Sequence, residues 1–130
     1  MLEPVTSEPA PIRRIDAAGL LRPLPEPTPV EGATLAPRDA LFADDALIFD
    51  AIGSSRVAFG VPGRTRLTVA FPDTPVLGIW TKPGAPFLCI EPWHGLADAD
   101  KFEGELKDKE LAVELEPGEY FEAALVIEVK

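Results

Sequence analysis

Two kinds of apolar stretch recur along the chain, separated by proline- and glycine-rich connectors. Val76-Leu77-Gly78-Ile79-Trp80 and Phe87-Leu88-Cys89-Ile90 are apolar at successive positions, so both faces of each segment carry hydrophobic groups. That pattern predicts two central strands covered on both sides. The loop joining them, Thr81–Pro86, contains Pro83-Gly84, a turn by composition. Arg64–Phe71 alternates instead: Leu67, Val69 and Phe71 fall on one face, Arg66, Thr68 and Ala70 on the other. This is the period of two of a half-buried strand. Arg56–Phe59 precedes it as a second short strand, across the turn-forming Gly60-Val61-Pro62-Gly63. Leu111–Leu115, Glu116-Pro117-Gly118-Glu119 and Tyr120–Val129 read as a closing hairpin, with Phe121, Ala123, Leu125, Ile127 and Val129 sharing a face.

The first third is patterned differently. Residues 1–10 and 22–37 are rich in proline and glutamate. Proline lacks a backbone donor and fixes φ, which excludes central strands and helices there. Between them, Pro11–Asp16 reads as a strand turning through Ala18-Gly19 into Leu20-Leu21, an edge hairpin. Pro37–Phe42 starts a short helix, with proline in its first turn, and Ala46–Phe49 is a compact apolar run. Short strands at close spacing with proline–glycine turns predict an all-β, antiparallel β-sandwich or barrel-like sheet stack. The expected organisation is one domain over 1–130, with a Pro-rich edge hairpin and loops in 1–37 and the core strands in 38–130.

Composition narrows the function. The 130 residues are 46% hydrophobic, as in a folded domain. Twelve Lys+Arg against 22 Asp+Glu leave a net charge of −10. Such a surface repels phosphate backbones and anionic lipid, so neither nucleic acid nor a membrane surface is an expected partner. Cys89 is the single cysteine and His94 the single histidine, which excludes an intramolecular disulfide and the usual zinc clusters. No apolar run approaches the roughly 18 residues of a membrane helix. Met1-Leu2-Glu3-Pro4 does not open as a signal peptide does, so a cytoplasmic setting is expected.

Candidate chemistry concentrates in Pro86–Gly95. Glu91 directly follows the apolar Phe87–Ile90 run and precedes Pro92. A carboxylate losing hydration there is held more weakly in its charged form, which suits a general base. The alternative for Glu91 is a solvated strand end. Trp93 and His94 add an indole that stacks on the C–H face of a sugar and an imidazole that exchanges hydrogen bonds with hydroxyls. Trp93 reads equally well as a plug for the core, and His94 as a loop residue. Asp44-Asp45 offers a carboxylate to a ligand hydroxyl, with capping or solvation as the usual role. Lys101–Glu110 mixes both charge signs densely and reads as a solvated face.

Leu77-Gly78-Ile79-Trp80-Thr81-Lys82-Pro83, Phe87-Leu88-Cys89-Ile90-Glu91-Pro92-Trp93 and Glu105–Glu110 together resemble the C-terminal half of the aldose 1-epimerase (galactose mutarotase-like) family, in its LacX-like branch. Leu115–Glu119 and Asp45–Asp50 fit the same pattern, and the resemblance spans roughly residues 10–130. It implies the C-terminal portion of a galactose mutarotase-like supersandwich, with no metal and no organic cofactor. In that family a glutamate takes the proton of the C1 hydroxyl while a histidine protonates the ring oxygen. The ring opens, C1–C2 rotates, and reclosure gives the other anomer. Glu91 matches the base and Asp45 a position that binds substrate hydroxyls. The histidine acid, near a His-Pro pair in the family's N-terminal half, has no counterpart here. His94 stands where the branch commonly has tyrosine, and Leu111 where glycine is common.

The resemblance therefore implies a half-protein carrying Glu91 as base, with Asp45, Trp93 and His94 binding a monosaccharide, either an aldose or a sugar phosphate. Two assemblies are expected, a homodimer or a complex with a separate N-terminal half chain. The competing functions are a carbohydrate-binding module without turnover and an inactive remnant.

Overall fold

The computed structural model describes residues 1–4, 8–61 and 63–130. The described residues form seven strands: β1 (Leu2–Pro4), β2 (Leu47–Phe49), β3 (Arg56–Val61), β4 (Arg64–Ala70), β5 (Val76–Trp80), β6 (Cys89–Trp93) and β7 (Val126–Val129). They build a four-stranded sheet in the order β1-β3-β4-β7 and a three-stranded sheet in the order β2-β5-β6. Every pairing between these strands is antiparallel. The only helices among the described residues are two short 3-10 turns, Asp39–Phe42 and Leu106–Asp108. The chain is mostly β and sandwich-like.

Alternation decides which faces meet. Registers Leu47↔Ile79, Phe49↔Leu77 and Ile79↔Ile90 put these side chains on one face of the small sheet. Registers Val57↔Val69 and Phe59↔Leu67 do the same on the large sheet. The two faces join Leu2, Ile12, Leu35, Phe42 and Phe71 in one hydrophobic core. Removing these groups from water is the main source of stability.

The strand expectations divide along the chain. β5 is the central, buried strand that its unbroken apolar run predicts, and β3 and β4 form the expected pair. The Gly60–Gly63 turn between them includes Pro62, which lies outside the described residues, as do residues 5–7 of the proline-rich start. The second run is corrected. Its strand is displaced toward the C-terminus, to Cys89–Trp93, half-buried throughout, and it forms the edge of the small sheet. Phe87 stays exposed. Pro92 explains the placement, because a residue without an N–H is tolerated at a sheet edge and not in its middle.

The N-terminal hairpin exists as bridges rather than full strands: Ile15 pairs with Leu21, and Arg13 pairs with Ile48 along the outer edge of β2. Asp16 accepts bonds from the backbone N–H groups of Ala18 and Leu20, and Gly19 supplies the left-handed turn. Arg14, buried to 7% exposure, anchors this segment by donating to the carbonyls of Asp45 and Ala46 and to Glu26.

The closing hairpin is not formed. The Glu116–Glu119 turn is present, with Glu119 N–H bonded to Glu116 O at 2.9 Å, but Leu111–Leu115 is not a strand. Only Val126–Val129 pairs, and its partner is β4. Leu111 itself is held at φ 62°, the left-handed conformation that glycine takes most readily.

Candidate functional site

The outward face of the small sheet carries the side chains that do not enter the core. Ile48↔Gly78, Gly78↔Glu91, Val76↔Trp93 and Trp80↔Cys89 are paired, so these residues all point to the same side. Ile15, Leu21, Leu96 and Leu111 pack around part of this face, leaving a second, smaller hydrophobic cluster with Ala46, Ile48 and Val76 at its centre. Between them lies an open cleft of about 570 Å³, lined among others by Asp45, Trp80, Glu91, Trp93 and Leu96.

The floor of this cleft depends on Gly78. A Cβ built there meets the indole of Trp93, with two ring carbons at 2.7 and 2.9 Å. The indole therefore lies across the Gly78 backbone, diagonal to its own cross-strand partner Val76 and alongside Glu91. Trp80 stands on the same face and tilts against Phe87, ring centroids 5.8 Å apart. Glu91 is half-buried between these groups.

Cys89, two residues before Glu91 on the same face, stands beside the Glu91 carboxylate. Burial pushes this thiol above its ordinary value of 9.0, and the hydrogen bond and negative charge of Glu91 push it further the same way.

Asp45 enters the cleft from the loop before β2. It adopts φ 69°, tolerated by a short polar side chain, and its Oδ1 accepts a 2.6 Å bond from the Ala46 N–H. Its other oxygen is not tied by that bond. Asp44 pairs with Arg22 at 3.7 Å, the solvated role expected of it.

Of the four residues singled out in the sequence, the structure brings Asp45, Glu91 and Trp93 into one cleft and places His94 elsewhere. Immediately past the end of β6, His94 meets Phe121 edge-on at 4.8 Å and lines a separate cavity with Leu106, Leu111 and Val113. The strand ends at Trp93, and His94 begins the following bend, which carries it to Phe121.

Trp80 and Gly78 escaped sequence reading as site residues. Their signal was the register: pairing Val76–Trp80 with Cys89–Trp93 puts Trp80, Gly78, Glu91 and Trp93 on one face. A further cavity of about 500 Å³, at an open end of the core, is lined mainly by apolar groups such as Phe59, Leu67, Leu88 and Ile90. Arg38, Asp39, Thr81 and Phe87 also line it, so it too carries polar and aromatic groups.

Among the described residues that line the Glu91 cleft, none is basic. No group of three or more His, Cys, Asp or Glu among the described residues is placed to hold a metal ion. No helix among them is long and apolar enough to cross a membrane. Comparison with protein-family models, curated proteins and solved structures finds no match to this chain.

Proposed function

We propose that the cleft is the base-bearing half of a sugar site of the aldose 1-epimerase type. The observation that carries the reading is the convergence of Asp45, from the loop before β2, with Glu91 and Trp93 of β6, and with Trp80 of β5 on the same face. Two indoles beside a half-buried carboxylate suit a pyranose, whose C–H faces are apolar and whose rim is a ring of hydroxyls.

In this mechanism Trp93, fixed over Gly78, supports the ring. Asp45 accepts a hydroxyl hydrogen. Glu91, half-buried beside Trp93, takes the proton of the anomeric hydroxyl as the C1–O5 bond breaks. O5 must gain a proton in the same event, giving the open-chain aldehyde. Rotation about C1–C2 and the reverse transfers give the other anomer. No histidine, lysine, arginine or tyrosine is among the described residues lining the cleft, so the proton for O5 has to come from outside them. Losing one of two proton-transfer groups slows such a reaction by ~10²–10⁴-fold. Two carboxylates without a facing cation also disfavour an anionic ligand, so the substrate class is a neutral aldose rather than a sugar phosphate.

The missing proton donor favours a second reading, a sugar-binding module without turnover. Polarimetry of α-glucose and α-galactose, run beside a binding titration by tryptophan fluorescence, separates the two. The proposal expects saturable binding of a neutral aldose, weakened by Trp93→Ala and by Glu91→Gln, with little acceleration of mutarotation. Acceleration that vanishes in Glu91→Gln would show that the chain holds its own acid. Failure of every neutral monosaccharide to bind would overturn both readings.

A further inference from the structure

β7 is unlike every other sheet edge in the molecule. The outer side of β1 is closed by Leu35, which exchanges two backbone bonds with Leu2 at 2.8 and 2.9 Å. The outer side of β2 is met by Arg13. β6 is interrupted by Pro92, which has no donor to offer. β7 carries no proline, its ladder with β4 has no bulge, and no further strand among the described residues is paired to it. Its side chains are bare as well: Val126, Ile127 and Val129 are all exposed, Val129 to 83%. Natural proteins normally blunt such an edge.

We propose that β7 pairs with β7 of a second copy of this chain, joining the two four-stranded sheets into one continuous eight-stranded sheet. The geometry selects one register. Lys130 N–H bonds Arg66 O, and the ladder continues through Glu128↔Thr68 and Val126↔Ala70. The groups of Glu128 and Val126 therefore face β4, leaving the N–H and C=O of Ile127 and Val129 pointing away from it.

A two-fold pairing centred on Ile127 uses these free groups. It sets Ile127 opposite Ile127 and Leu125 opposite Val129. Ile127 and Val129 already share the face of Val69 and Leu67, so the second copy extends the apolar side of the sheet. A slip of one residue reverses that face, and centring on Glu128 sets two carboxylates opposite each other.

Tyr120, Phe121, Leu125, Val126, Ile127 and Val129 are each about half exposed or more. Of these, Leu125, Ile127 and Val129 lie on the apolar face that the second copy extends, and each is more than half exposed, so the pairing covers self-complementary apolar groups on both copies. Each copy carries −10, so long-range repulsion opposes the pairing and salt should strengthen it.

Sedimentation of the full chain over a concentration series tests this, together with Ile127→Pro and Ile127→Lys. Proline removes only the outward-facing donor, and lysine places two charges across the two-fold axis. The expected result is a dimer that tightens with salt and whose dissociation constant rises on the order of 10²-fold in either variant. Amide exchange on the unmodified chain gives an independent reading. Ile127 and Val129 should gain protection with concentration, while Glu128 and Lys130 are protected throughout. A chain monomeric at all concentrations, or a dimer with no such alternation at β7, would overturn the proposal.

Discussion

The small sheet and the C-terminal run resemble each other in composition and differ in fate. Tyr120–Val129 alternates more cleanly than Phe87–Trp93, yet Phe87–Trp93 supplies a five-residue strand while Tyr120–Val129 supplies four paired residues and a bare surface. The difference lies in what each meets. Cys89–Trp93 finds β5 alongside it and the core beneath Ile90. Residues before Val126 pair with no strand among the described residues, and Phe121 meets His94 in a loop instead. A period of two says which side chains share a face, and a strand forms only where a second chain segment accepts its hydrogen bonds.

Truncating the two regions should give the widest contrast. Phe71→Ala empties a site of 1% exposure in the core and should cost about 3–5 kcal/mol. Val129→Ala removes an exposed group and should stay within about 0.5 kcal/mol in dilute solution. Urea unfolding measures both, and equal losses would break the comparison.

A smaller effect, roughly 1–3 kcal/mol, is expected of Gly78→Ala, because the new methyl displaces an indole that cannot retreat into the sheet. Its signature is a changed environment of Trp93 in near-ultraviolet circular dichroism, with the far-ultraviolet spectrum kept. An unaltered aromatic spectrum would mean that Trp93 does not rest on Gly78.

The mildest test concerns Cys89. Its thiol is raised in the folded chain, so deprotonation opposes folding: the stability tied to the thiol is present below its ordinary value of 9.0 and is lost as pH rises through the folded value. Labelling by iodoacetamide at pH 8 should be slow and should speed up several-fold in Glu91→Gln, which removes the negative charge beside the thiol. Unchanged labelling would separate the two side chains.

Legibility followed the same division. The buried β5, the β3–β4 pair and the turns at Gly19, Gly84 and Gly118 were readable because each signal is local. So were Glu91 and Trp93, which share one short segment. The role of Gly78 and Trp80 depends on a pairing register, and the separation of His94 from the cleft depends on where β6 ends. Neither is written in local composition. The unformed hairpin shows the converse: Leu111–Leu115 has a strand's residues, but Leu111 is held at φ 62° and the chain turns away.

The central claim is that the outward face of the small sheet takes a sugar. Nitrogen-15-resolved NMR of the full chain, titrated with glucose, tests it most directly. The account predicts saturable shifts at the Trp93 and Trp80 indole N–H groups and at the Gly78 and Glu91 amides, with His94 and β7 unmoved and the response lost in Trp93→Ala. Shifts confined to other surfaces, or none at the four cleft residues at saturating sugar, would contradict it.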